Sequence, residues 1–249
     1  MTTTTDPNLS PADAILARKL TDSTLSLAYR VALSRNATKP CNADGCPLPR
    51  QALDAMCGCH RRRYRSFGHW NAYPVKAAAW APIRDRVAVV FDANRGMHAG
   101  LIEAERHVSS LMARAVTNPG SFKGAAELAR LQSHGITAEA ILRTAVSASI
   151  LILYSPTMCP DDRSRRTMVA RAVVAMAPQV EKHSWSGNRG RVYRGKAAHS
   201  SLVNLGRIFT VDLAEFTATV QLAIEAKARA AAMTDADRRA ARTAPMRIA

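Results

Sequence analysis

Cys41-Asn42-Ala43-Asp44-Gly45-Cys46, followed eleven residues on by Cys57-Gly58-Cys59-His60-Arg61-Arg62-Arg63-Tyr64-Arg65, is the stretch from which the reading of this chain starts. Four of the five cysteines fall within nineteen residues, with a histidine beside the last of them. The surrounding segment, 35–74, is dense in Cys, Gly, Pro and Arg and has no long apolar periodicity, so something other than a hydrophobic core must hold it. A secreted disulfide framework is disfavoured by the odd cysteine total and by the threonine tract Met1 to Pro7, which has no apolar signal region. Clustered Cys and His then point to a metal, and thiolate with imidazole is the donor set that zinc takes in closed tetrahedral sites.

Two ligand sets compete. One is Cys41, Cys46, Cys57 and His60, spaced C-x4-C-x10-C-x2-H. The other replaces His60 by Cys59. C-x-C brings two thiolates too close for the usual chelating turn, whereas C-x2-H is a common second pair, so the first set is the expected one. Gly45 beside Cys46 allows the tight turn that C-x4-C requires. The bland alternative is an incidental cluster of thiols.

These residues resemble a short zinc-finger signature of actinobacterial and actinophage proteins: C-x4-C, a G-L-C-x-x-H-Y knuckle, then R-W-R-x-x-G. That signature occurs alone or attached to HNH or recombination-type endonuclease domains, and is similar to treble-clef nucleic-acid-binding fingers. The resemblance covers about 39–74. It implies that Cys41, Cys46, Cys57 and His60 hold the metal, and that Arg63, Arg65 and Gly68 form a basic helix and its end. The sequence departs from the pattern at Ala55, Arg61, Tyr64 and His69, none of which is a ligand position.

Outward from this module the chain reads as helical. Alanine fills 46 of 249 positions and aromatics are 5%, which favours helix and excludes an all-β sandwich. The expected organisation is an N-terminal helical segment (1–37), the finger (38–75), a helical domain (76–232) and a basic tail (233–249). Ser10-Pro11-Ala12-Asp13 is a helix start signal for a helical stretch over 10–34, with the Thr21-Asp22-Ser23-Thr24 cluster as a point where it can split into two helices. A helical stretch over 76–117 is expected to break or kink at Pro82. Helices follow at 123–133 and 138–154, parted by Gly135 and capped by Thr137. Another opens at Asp161 or Asp162 and runs to about Met176. A polar loop is expected at 179–197, then one long helix over 199–232, with Thr234 capping a short tail helix. No run of about 18 apolar residues predicts a membrane span. The expected compartment is the cytoplasm.

The charge is +16, from 35 Lys+Arg against 19 Asp+Glu. It is patchy: net +3 over 41–65, net +5 over 179–210 and net +4 over 227–249. A nucleic-acid partner, DNA rather than RNA, is the natural reading. Arg61, Arg62, Arg63 and Arg65 on the finger are the expected phosphate contacts, supported by Arg189, Arg191, Arg194 and Lys196 in the basic loop, with aromatic residues interleaved in both. The bland alternatives are a solvated basic face and a connector.

No catalytic residues are expected. HNH chemistry needs an acidic-His or His-His pair, and the nearest candidate, Glu103 with His107, reads as a solvated helical pair. Walker and Gly-x-Ser-x-Gly motifs are missing, and Cys159 reads as a partly buried thiol. Residues 126–144 have the outline of a helix–turn–helix, but Thr137, Glu139 and Arg143 make a poor reading face, and an ordinary helical corner is the expected form. The sequence therefore favours a non-catalytic zinc-containing DNA-binding protein of a phage, mobile element or actinobacterial regulator. The alternatives are an HNH-like or recombination-associated nuclease, and an assembly protein with protein partners. Homo-oligomer formation is left open.

Overall fold

A computed structural model of the chain describes residues 26–75, 77–178, 181–186, 189–194 and 197–243. It is mainly α, as the composition implies, and it divides into two compact units, Met1–Tyr73 and Pro74–Ala249.

In the first unit, α1 (Leu27–Ala37) opens where the Ser26 hydroxyl accepts the Tyr29 N–H. The single helix expected over 10–34 is corrected: a helix starts at Leu27, after Ser26 in a non-helical conformation, and runs past 34 to Ala37, while the expected start at Ser10 lies outside the described residues. The cysteine segment follows, with a single antiparallel bridge, Pro40 to Pro49, and then α2 (Gly58–Phe67). Gly68 ends α2 in the left-handed conformation (φ +85°), its N–H returning to the Tyr64 carbonyl.

The second unit is built around α6 (Ala138–Tyr154). Its run Ala145-Val146-Ser147-Ala148-Ser149-Ile150-Leu151-Ile152 is apolar on nearly every side, and a helix apolar all round must be surrounded. It is: α3 (Ala77–Asn94), α4 (Ala99–Thr117), α7 (Asp162–Val174) and α9 (Ala214–Thr243) all pack on it. Nine residues of α6 are buried, including Ile141, Leu142, Val146 and Ile150. Ser147, fully enclosed there, donates its hydroxyl to the Arg143 carbonyl (2.7 Å). Such a helix has no face left to enter a DNA groove. The helix–turn–helix outline at 126–144 is thus α5 (Ala125–Ser133) turning into a core helix, through Gly135 (φ +73°) and the Thr137 cap on Ala140 N–H. Arg143 is engaged too, pairing with Asp92 and with Glu139 (2.6 Å).

Several expected boundaries are corrected. Pro82 does not break α3 but sits inside it; the break falls at 95–98, where Gly96 adopts φ +71°. The long helix expected over 199–232 is two: α8 (His199–Arg207) passes through a π-helical segment (Ile208–Asp212) before α9 begins. The expected tail helix at Thr234 is continuous with α9, which extends to Thr243. The polar loop expected at 179–197 contains a hairpin, β1 (Glu181–Ser186) against β2 (Arg189–Arg194), with Glu181 opposite Arg194 and Ser186 opposite Arg189. Trp185, Val192 and Tyr193 carry strand propensity, but they do not alternate regularly, and the glycines and charges around them read as a loop. By contrast, α7 begins as read, with Asp161 and Ser164 forming a reciprocal capping box. Among the described residues, no helix is long and apolar enough to cross a membrane.

Two contacts clamp this unit. Gly206 of α8 meets α7 so closely that a β-carbon there would lie 2.0 Å from the Arg166 carbonyl oxygen. Arg130 of α5 is nearly buried and caps the end of α7. Its guanidinium donates to the carbonyls of Val174 (2.9 Å), Ala177 (3.0 Å) and Pro178 while pairing with Glu127 (2.9 Å). The Val174 carbonyl is one that the end of α7 leaves without a partner, those of Ala177 and Pro178 lie just beyond it, and a cation there also meets the negative end of the helix dipole. Arg130→Ala should cost about 2 kcal/mol, because buried carbonyls lose charge-assisted donors and Glu127 is left alone. Chemical denaturation checks this, and a loss below about 0.5 kcal/mol would count against the clamp.

Candidate metal centre

The site grows from two local structures. The first is the turn 41–46. Gly45 takes φ +70°, which lets the Cys46 N–H return to the Ala43 carbonyl (3.1 Å). The Cys41 N–H bonds the Leu48 carbonyl (2.9 Å), so the two arms of the knuckle run back beside each other. The second is the start of α2. Cys57 occupies the position preceding the helix, in extended conformation, and His60 stands in its first turn. Knuckle and helix start each bring two donors, the treble-clef-like arrangement.

The donor atoms of Cys41, Cys46, Cys57 and His60 all lie within 4.8 Å of one another, close enough to hold one metal ion. His60 Nδ1 is 3.4 Å from the Cys41 sulfur and 3.4 Å from the Cys57 sulfur; the Cys46 and Cys57 sulfurs are 3.9 Å apart. Cys59 is exposed and stands outside the group, which removes the alternative ligand set.

The electrostatics suit a cation. Burial alone would raise the Cys41 thiol. The backbone N–H groups of Cys57 (3.2 Å) and Ala43 (3.4 Å), with the His60 and Cys57 side chains, outweigh it and bring the pKa from 9.0 down to about 6. Cys57 goes the other way. Burial raises it, and the adjoining Cys41 and Cys46 sulfurs add to that against the lowering effect of nearby backbone N–H groups. Three sulfurs this close do not all ionise by themselves; a central cation removes the repulsion. The positive end of the α2 dipole acts in the same sense.

Neighbouring residues brace this geometry, and no motif pointed to them. Asn36, at the end of α1, donates to the carbonyls of Ala52 (2.7 Å) and Asp54 (2.8 Å), holding a loop in which Ala52 takes φ +55°. Arg50 donates to the Pro40 carbonyl (2.9 Å) and to Asn42. Trp70 packs on the buried group Cys41, Ala43 and Cys57, and its ring stacks with His69 at 4.2 Å.

The arginines expected to contact phosphate are not alike. Arg61 pairs with Asp54 (3.1 Å). Arg63 lies over the Tyr73 ring, 4.8 Å from its centroid, and reaches its hydroxyl (3.3 Å). Arg62 and Arg65 are exposed and stand three residues apart on one face of α2. Arg189, Arg191 and Arg194 belong to β2, in register with Ser186, Ser184 and Glu181. Lys196 lies outside the described residues.

The fifth cysteine is apart from the site. Cys159 is fully buried, and burial pushes its thiol up to about 11, so it is protonated and inert at neutral pH. In the metal-loaded chain one thiol of the five, Cys59, should react rapidly with a disulfide reagent, and a strong chelator should expose Cys41, Cys46 and Cys57 as three more. Two or more fast thiols before chelation would contradict the ligand set. Comparison of the chain with protein-family models, curated proteins and solved structures finds no match.

Proposed function

We propose that the chain is a zinc-containing, non-catalytic nucleic-acid-binding protein that docks on DNA through the helix anchored by its metal centre. Zinc is favoured by the donor chemistry and by the spacing. Bonds of about 2.3 Å to sulfur and about 2.0–2.1 Å to nitrogen give a tetrahedron with edges of about 3.8 Å between sulfurs and about 3.6 Å between sulfur and nitrogen. The separations of 3.9 and 3.4 Å are close to both, and no two donor atoms are more than 4.8 Å apart, so a movement of about 1 Å closes them on the ion. Four protein donors also complete the coordination, which suits a structural ion rather than one that activates water.

The observation that carries the nucleic-acid reading is the exposed pair Arg62 and Arg65 on α2. A short helix held at its start by two metal ligands presents these guanidinium groups on a rigid base, and guanidinium binds phosphate bidentately. Arg61 braces the module through Asp54 and is assigned that role instead. Arg63 and half-exposed Tyr73 form a flat guanidinium–ring pair beside them, a surface on which a base can stack. The likeness of 39–74 to the actinophage signature supports a phage or mobile-element setting.

The test is retention of the zinc-loaded full chain on duplex DNA across a salt series. Affinity should fall steeply with salt. Arg62→Gln and Arg65→Gln should each reduce the slope of log K against log salt by about 0.9, with metal content unchanged. No retention at low salt by zinc-loaded protein would reject the reading.

A further inference from the structure

The second unit holds a cleft of about 310 Å³ between α6, α7, the π-helical segment and α9. Its apolar wall is made by Ile152 and Leu153 of α6, Val169 of α7 and Val211 of the π-helical segment, with alanines of α9 opposite. Leu153 and Val211 are 55% and 49% exposed, so two large apolar side chains face water at one place. The π-helical turn contributes part of the wall, and such turns recur at functional sites because they widen the helix locally.

The charged residues lining the cleft, Asp162, Arg165 and Arg166, come from α7, and Ser149, Thr210, Thr217 and Gln221 add uncharged polar groups from the other walls. Arg165 pairs with Asp162 (3.3 Å) and donates to the Cys159 carbonyl (3.4 Å), so its charge is balanced within the chain. Arg166 is half-buried, and its side chain has no hydrogen bond or ion pair among the described residues. A guanidinium partly withdrawn from water without a counter-ion, at the edge of an apolar cleft, is a recognition element for an anion with an apolar body.

We propose that this cleft binds a small amphiphilic carboxylate, its chain between Leu153, Val169 and Val211 and its carboxylate on Arg166. At water's share of about 30 Å³, the volume accommodates about ten heavy atoms, the size of octanoate. The cleft lies wholly within the second unit, so the proposal is independent of the nucleic-acid reading.

The full chain titrated with octanoate, by calorimetry and by thermal unfolding, tests it. Octanoate should bind with a dissociation constant of about 1 mM or below and raise the melting temperature with concentration. Octan-1-ol, with the same chain and no charge, should bind at least about tenfold more weakly, and Arg166→Gln should weaken octanoate by a similar factor. Val211→Trp, which fills the cleft from an exposed position, should abolish binding while the folded baseline persists. Arg62→Gln should leave octanoate binding unchanged. Equal affinity for octanol, an unaffected Arg166→Gln variant, or no binding of octanoate at millimolar concentration would each overturn the proposal.

Discussion

Cys57→Ser should release the metal and unfold 38–73 while the helices of the second unit keep their far-ultraviolet signal and melting transition. The reason is that this module has little else to hold it. Its buried group is Cys41, Ala43 and Cys57, with Cys46, Met56 and Trp70 packed around, so most of the core is ligand. The free energy of structural zinc binding is about 10–16 kcal/mol in finger-sized peptides, and for such modules it is folding free energy. Removing Cys57 also takes the residue at which α2 begins, and the remaining three donors no longer enclose the ion. His60→Ala should behave alike, whereas Cys59→Ser, on an exposed thiol outside the cluster, should leave metal content at one ion per chain. Elemental analysis with circular dichroism decides this. Unchanged metal content in both Cys57→Ser and His60→Ala would reject the ligand set.

Gly206→Ala should destabilise the second unit by about 3 kcal/mol, the upper part of the range for forced overpacking. The added carbon would lie 2.0 Å from the Arg166 carbonyl oxygen and 2.6 Å from its α-carbon. Those are backbone atoms, which no rotamer change can move aside, so α7 and α8 must separate. Separation would loosen Leu202, Leu205 and Val169, all 3% exposed or less. At about 2–4 °C per kcal/mol for a unit of this size, the melting temperature should fall by roughly 6–12 °C. An unchanged melting temperature would show that the helices do not approach as described.

How far the sequence could be read depends on the range of the signals. Thr137, Gly135 and Asp161 mark helix ends because a cap is a contact over three or four residues, and their roles hold. The hairpin at 181–194 is local but has no regular apolar alternation, and its polar, glycine-containing composition resembles a loop. The π-helical turn at 208–212 has no marker in composition: the apolar stripe passes through it, and it is packing on α7 that places it. Pro82 is a strong breaker on its own, yet the helix around it keeps packing on α6.

The same division applies to the site. By itself the sequence determined a mainly helical chain and the four candidate ligands, since a metal demands particular donor types at spacings that one turn and one helix start can satisfy. Only the tertiary structure decided that Cys59 faces outward, that Arg61 and Arg63 are engaged by Asp54 and Tyr73, and that Arg62 and Arg65 remain exposed. The physical reason is that an arginine's availability depends on what folds back against it, and those partners lie seven and ten residues away, on separate segments of the chain.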